Sequence, residues 1–234
     1  VAAPQIHLQP TAPLAPRVLL PGDPGRALLL AQALLHEPRM FNHNRGLWGY
    51  TGTAADGDAL TVQSTGMGGP SAAIVIAELA ELGATTLLRV GTCGGLDGAL
   101  ALGELLVVTG ALAQDGTSRA LGAAERVAPS DDLLARLLAC GGEQVRRGAV
   151  VSSDLFYDGP PGAEQRWLAL GALAVEMETA TLFALAARRG LAAACALIVS
   201  DVILPTRRRI APEALTAAEH RLGDLAVRAL AGAG

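Results

Sequence analysis

Thr85-Thr86-Leu87-Leu88-Arg89-Val90-Gly91-Thr92-Cys93-Gly94-Gly95 carries a short apolar run into an arginine, a hydroxyl and a cluster of glycines. Read as a strand that delivers Arg89 and Thr92 onto a glycine-rich turn, the stretch is a device for holding an oxyanion. The guanidinium offers a planar fork of donors, and glycine leaves backbone N–H groups open to the same ligand. Arg89 by itself reads equally well as a strand-end arginine reaching solvent. A second stretch has the same plan: Val18-Leu19-Leu20 runs into Pro21-Gly22-Asp23-Pro24-Gly25-Arg26, again an apolar strand, a Gly/Pro turn and an arginine opening a helix. Two such devices in one chain of 234 residues are hard to explain as two surface loops.

Outward from these two stretches, strand and helix signals alternate. Strands are expected at 18–20, 60–64, 85–90, around 104–109 and 149–152, at 173–175 and at 193–199. Helices are expected at 26–35, at 71–82 with Gly83 as C-cap, from Asp131 to about Leu138, at 178–189 closed by Gly190, and from about Pro212. Such alternation predicts an α/β fold, a sheet covered by helices on both faces, in which ligands sit at the carboxyl ends of the strands. The composition has no break, repeat or linker, so residues 1–234 are read as a single domain, and 51% hydrophobic content suffices for one buried core.

Several function classes drop out. A net charge of −4 disfavours a nucleic-acid backbone as the main partner. The apolar runs are broken well before the roughly 18 to 20 residues a membrane span needs. No leader pattern opens the chain, and Cys93, Cys140 and Cys195 are an odd, widely spaced set without metal-ligand spacing. A cytoplasmic protein with reduced thiols and no bound metal is expected. The glycines lack the G-x-G-x-x-G spacing of a dinucleotide site, and a chain without lysine has no P-loop.

The polar chemistry gathers where the expected strands end. Gly22 and Arg26 follow the first strand, Gly66-Met67-Gly68 the strand at 60–64, and Ser153-Asp154-Leu155-Phe156-Tyr157 the strand at 149–152. Glu176-Met177-Glu178 follows 173–175, and Ser200-Asp201 follows 193–199. Each group also has a plain reading. Glu178 suits the first turn of a helix, Asp201 suits an Asx-turn as well as a reactive acid, and Met67 and Met177 suit a core. Phe156 and Tyr157, in a chain with only 3% aromatic residues, point to specific packing, for which a flat ligand is one partner.

Taken in order, Gly22-Asp23-Pro24-x-Arg26, Asn44-Arg45-Gly46, Gly66-Met67-Gly68, Arg89-Val90-Gly91-Thr92, Asp154-Leu155-Phe156-Tyr157, Val175-Glu176-Met177-Glu178 and Ser200-Asp201 resemble the nucleoside phosphorylase family of bacterial purine nucleoside and uridine phosphorylases. The resemblance implies a three-layer sandwich around a mixed, partly barrel-like sheet. It also implies reversible splitting of a nucleoside by inorganic phosphate, with no cofactor beyond that co-substrate. Carried over residue by residue, it assigns phosphate to Gly22, Arg26, Arg89 and Thr92, with Arg45 reaching in from a neighbouring subunit. Ribose falls to Met67, Glu176, Met177 and Glu178, with His7 from the adjacent subunit. The base falls to Phe156, Val175, Ser200 and Asp201, and Asp201 is the catalytic acid. The implied assembly is a homodimer with shared sites, built further into a hexamer.

The chemistry of these residue types fits that assignment. Breaking an N-glycosidic bond leaves positive charge on the ribose and negative charge on the purine. A carboxylic acid at Asp201 can donate to N7, arginines fix phosphate on the other face of the sugar, and a Glu178 carboxylate suits a cis-diol. In purine-specific relatives a helix arginine after Ser-Asp assists the aspartate. Here Thr216-Ala217-Ala218-Glu219 is followed by His220 and Arg221, and the segment before it contains Arg207-Arg208-Arg209, whose plain reading is a solvated loop. The competing activities are uridine phosphorolysis, nucleoside hydrolysis, and nucleoside binding without catalysis. The pyrimidine branch usually offers a glutamine and an arginine to the base. A hydrolase has no use for Arg26, Arg45 and Arg89 together.

Overall fold

The computed structural model describes residues 5–232; the ends of the span 1–234 read as one domain lie outside the described residues. The chain begins with β1 (Arg17–Leu20), α1 (Pro24–Leu34), β2 (His36–Asn42), β3 (Gly49–Thr53), β4 (Ala59–Gln63) and α2 (Gly69–Glu81). It continues through β5 (Thr86–Gly95), β6 (Leu105–Ala113), α3 (Gly116–Ala120), β7 (Arg126–Val127), α4 (Asp131–Gly141) and β8 (Val145–Ser152). The last third holds α5 (Ala163–Ala169), β9 (Ala172–Glu176), α6 (Thr179–Arg189), β10 (Ala192–Val202), β11 (Arg208–Arg209) and α7 (Pro212–Leu230).

Among the described residues the strands form one 11-stranded mixed sheet. Within it β5, β10, β6, β8 and β9 close into a ring, because β5 pairs with both β10 and β9. From β5 the sheet extends outward through β1, β4, β3 and β2. Helices cover both faces. Val18 and Leu20 of β1 pack in the layer of Val75, Ile76 and Leu79 of α2 and Phe183 of α6. Leu19 faces the other way, toward Leu30 of α1, Leu133 and Leu137 of α4, and Leu222 and Leu225 of α7. This alternation follows from the two-residue period of a strand, and burial on both faces explains why β1 reads as an unbroken apolar run. Each leucine so enclosed contributes roughly 1.5–3 kcal/mol of transfer free energy. The three-layer, partly barrel-like expectation therefore holds.

The glycine cluster after Arg89 departs from its reading as a turn. Gly91 to Gly95 continue β5, in register with Leu197 to Val202 of β10. None of Gly91, Gly94 and Gly95 has a positive φ. Close approach is what excludes a side chain: a Cβ on Gly94 would stand 2.6 Å from Ile203 Cδ1, and one on Gly91 3.0 Å from Arg89 Nη2. The expected 193–199 strand likewise runs on to Val202, with a bulge between Val199 and Asp201. Bulges re-aim side chains beside functional sites. Among the described residues no helix is long and apolar enough to cross a membrane.

Candidate active site

β1, β5 and β10 run parallel, and their carboxyl-terminal ends, with the β9–α6 junction, wall a cleft of about 430 Å³. Gly22, Arg26, Met67, Arg89, Thr92, Phe156, Val175, Glu176, Met177, Glu178, Ser200 and Asp201 all line it. His7 and Arg45 do not.

At one end Arg89 is clamped between two carboxylates. Its Nε donates to Glu176 Oε2 at 3.1 Å, and its Nη2 lies 2.5 Å from Glu178 Oε2. Its Nη1 is buried and has no partner. A buried donor left open costs stability unless something completes it, so this nitrogen is available to an acceptor entering the cleft. Burial alone would lower the Arg89 pKa, but Glu178 and Glu176 more than offset it and hold the guanidinium charged.

Glu176 enters the cleft wall with both oxygens engaged. Oε1 accepts from Ser152 Oγ and from the Thr179 amide, and Oε2 accepts from the amides of Glu178 and Thr179 as well as from Arg89. It caps the amino-terminal end of α6, where a carboxylate meets unpaired N–H groups and the helix dipole. Glu176 lines the cleft, as expected, with both oxygens already held by protein donors, and the carboxylate beside it is that of Glu178. Glu178 is the residue preceding α6, not in its first turn, and its Oε1 accepts from the Gly68 amide. Burial and the neighbouring Glu176 push its carboxyl above the usual range against the pull of Arg89. Met67, read as core by default, is 85% exposed at the cleft mouth.

Arg26 reaches the cleft from the first turn of α1, which starts at Pro24 because Asp23 caps it, accepting from the amides of Gly25 and Arg26. Its Nε donates to Glu219 Oε1 of α7 at 2.7 Å.

The opposite end is built from β10, β11 and the loop after β8. Ser200 Oγ donates to the Cys93 carbonyl at 3.3 Å and lies 3.2 Å from Asp201 Oδ2. Asp201 is opposite Arg209 in the β10–β11 ladder, and Arg209 Nε stands 3.0 Å from Asp201 Oδ1. That N–H is not aimed at the oxygen, which remains buried without a hydrogen bond. The arginine triplet is therefore not an idle loop. Arg207 lines the cleft with its guanidinium 5.2 Å from the Phe156 ring centre, and Phe156 meets Tyr157 edge to face at 4.8 Å. His220 and Arg221 are exposed on α7, and Arg221 donates to the Gly103 carbonyl, away from Asp201.

His7 and Arg45 sit together on another face. Asn44, beside Arg45, donates to the His7 carbonyl at 2.9 Å. His7 Nδ1 lies 2.7 Å from Glu78 Oε1. Burial would raise the Glu78 pKa, but the amides of Leu8 and His7 and the His7 ring hold it low. Arg45 is exposed, with φ 58°.

Sequence reasoning missed Trp167, Ala163 and Glu164, which wall the cleft from α5, a helix with a single buried residue and so no apolar stripe to announce it. One of only two tryptophans in the chain was the available signal. Among the described residues no group of three or more His, Cys, Asp or Glu side chains is arranged to hold a metal ion. The cations on the cleft wall are arginines. Cys93 also lines it, and burial pushes its thiol well above the ordinary value.

The chain is 39% identical over 209 residues to a DeoD-type purine nucleoside phosphorylase of Geobacillus kaustophilus, covering 87% of this chain and 88% of the relative. It is 40% identical over 179 residues to a guanosine phosphorylase of Halorubrum lacusprofundi, covering 75% and 73%. Its fold matches the crystal structure of a uridine phosphorylase from Vibrio fischeri with a TM-score of 0.83 at 29% identity, covering 93% of this chain and 91% of that one. The pattern that defines the Phosphorylase superfamily matches residues 16–231, and with the cleft built as described the chain belongs to that family.

Proposed function

We propose that the protein splits purine nucleosides reversibly with inorganic phosphate, releasing free base and ribose 1-phosphate. The observation that carries this is one cleft lined by Arg89, with an open, buried nitrogen, by Glu178 bonded to that arginine, and by the buried Asp201 carboxyl. Phosphate binds Arg89, Arg26, Gly22 and Thr92. Glu178 and Met177 hold the ribose with Met67 at the mouth, and Phe156 and Val175 flank the base. Ser200 and Asp201 meet its ring nitrogens.

As the glycosidic bond breaks, the purine gains electron density and Asp201 passes a proton to N7. The carboxylate left behind is stabilised by Arg209, whose guanidinium is already beside it. On the far side of the sugar the fixed phosphate meets the developing cationic carbon. Its charge is already organised by arginines, so little rearrangement is needed at the moment of reaction.

His7 and Arg45, neighbours outside their own cleft, serve the site of a second copy in a dimer, and dimers build a hexamer. We place the protein, with its free thiols, in the cytoplasm. Mixing inactive Arg45→Ala with inactive Glu178→Ala protein tests the shared site. Recovery of activity after subunit exchange is expected, and none after verified exchange refutes sharing.

Inosine, adenosine and uridine incubated with and without phosphate test the reaction itself. Base release from the purine nucleosides only when phosphate is present is the expected result. Faster cleavage of uridine favours the pyrimidine reading. Release without phosphate makes the protein a hydrolase, and binding without release makes it a carrier.

A further inference from the structure

We infer that Glu219 is a positioning residue for phosphate, acting from α7 through Arg26. The inference rests on the phosphate role of Arg26 proposed above and adds the group that makes that role possible.

Arg26 and Glu219 are 193 residues apart in sequence, yet Arg26 Nε donates to Glu219 Oε1 at 2.7 Å with both side chains about nine-tenths buried. The contact uses Nε, which carries a single N–H, and leaves the two terminal NH2 groups to other acceptors. Among the described residues no protein acceptor is paired with Nη1 or Nη2 of Arg26, and Arg26 lines the cleft. A guanidinium held by Nε is fixed in rotation, so its two terminal donors form a rigid pair suited to two oxygens of one phosphate. Released, the same side chain samples many rotamers and must be ordered again each time phosphate binds.

The opposite effect also exists. The Glu219 carboxylate repels phosphate through the arginine, so removing its charge alone would strengthen binding. Orientation and charge separate in two variants. Glu219→Gln keeps an acceptor at Nε without the charge, whereas Glu219→Ala removes both.

The test is calorimetric titration of the protein with inorganic phosphate, alongside phosphate and nucleoside KM values. Glu219→Ala is expected to weaken phosphate about 3- to 10-fold, the effect of re-ordering one arginine, with the nucleoside KM unchanged. Glu219→Gln is expected to stay within about 3-fold of the parent, since its amide oxygen still accepts from Nε. In an Arg26→Ala background Glu219→Ala is expected to add nothing. Arg26→Lys keeps the cation but has no Nε to hold. It approaches the question without touching α7, and is expected to weaken phosphate while making Glu219→Gln inert.

Glu219→Ala with parent-like phosphate binding overturns the inference. So does tighter binding in both Glu219 variants, which would make charge the whole effect, or an equal rise in both KM values, which would make Glu219 merely structural. If Glu219→Ala does not fold, parent-like phosphate binding by Arg26→Lys overturns it alone. Phosphate binding that depends on Glu219 without any nucleoside cleavage would instead refute the proposed reaction and leave this inference standing.

Discussion

At the proposed phosphate end of the cleft the side chains of Arg89, Glu176 and Glu178 are 6%, 1% and 7% exposed and bonded to one another. At the proposed base end Phe156 is 51% exposed, and the Arg209 side chain beside Asp201 is 75% exposed. The first is a charge network locked in low dielectric, where each group depends on the others. The second places one buried carboxyl under groups that face solvent. Inorganic phosphate is the same for every nucleoside, so a rigid site for it costs no versatility. The base is what varies, and its end is made from a loop, a two-residue strand and exposed rings that can be replaced without breaking the core. The comparison predicts that substitutions at the phosphate end cost both fold and activity, whereas those at the base end cost activity alone.

Arg89→Met should show the largest effect. It removes the proposed phosphate donor and leaves two carboxylates buried without their cation. Phosphorolysis is expected to fall at least about 100-fold, near 3 kcal/mol of transition-state stabilisation. Stability should fall by about 3–5 kcal/mol, the penalty for breaking a buried pair. The stability loss should depend on pH in a definite sense. Glu178 already holds its proton to higher pH than an ordinary glutamate, and without Arg89 it holds it higher still. A raised folded-state pKa contributes stability that is present at acid pH and lost as pH rises through it. The gap in urea midpoint between parent and variant should therefore narrow toward pH 5 and widen toward pH 8. A pH-independent gap would show that Arg89 is not neutralising these carboxylates.

The base end should respond differently. Asp201→Asn keeps size and one donor but has no proton to give, and inosine cleavage is expected to fall by about 100-fold or more with nucleoside binding and stability retained. A nucleoside whose N7 is methylated, and therefore already cationic, should be spared. Equal slowing of both substrates would refute the acid role. Arg209→Gln should show the same pattern at smaller size, about 10-fold, since an exposed cation stabilises the departing proton's carboxylate without donating the proton itself. Loss on the N7-methylated substrate as well would mean that Arg209 only braces β11.

These two ends were unequally legible in the sequence. Strands buried on both faces, such as Val18–Leu20 and Ala193–Val199, announce themselves by continuous apolar runs, and the groups at their ends could be placed on one edge from that alone. The edge strand β2 could not, because His36 to Met40 are exposed and have no apolar period. The glycines of β5 misled for a physical reason: glycine serves close approach as readily as a turn, and only the neighbours Ile203 and Arg89 decide which. Ion pairs between elements were invisible. Nothing local distinguishes Glu219 as the partner of Arg26, or Arg209 as the cation beside Asp201 in place of the His220 and Arg221 region. In each case two elements must pack before the chemistry exists.

The smallest effect expected is also the one that tests the comparison most directly. Arg207 lies over the ring of Phe156, 5.2 Å from its centre, and both line the cleft. A cation over an aromatic face at an exposed site contributes about 0.5–1 kcal/mol, which is roughly a 2- to 5-fold change in an equilibrium constant. Arg207→Ala removes that contact and frees the ring to turn. The nucleoside KM is expected to rise by roughly 2- to 5-fold, with the phosphate KM, the thermal midpoint and the turnover at saturation unchanged. Arg207→Met covers the ring without charge, and should recover the binding if apolar cover is what orders Phe156 but not if the cation is. A loss approaching that of Arg89→Met, or a fall in stability, would mean that the base end is locked into the core as tightly as the phosphate end. The division between a rigid anion site and a replaceable base site would then have to be given up.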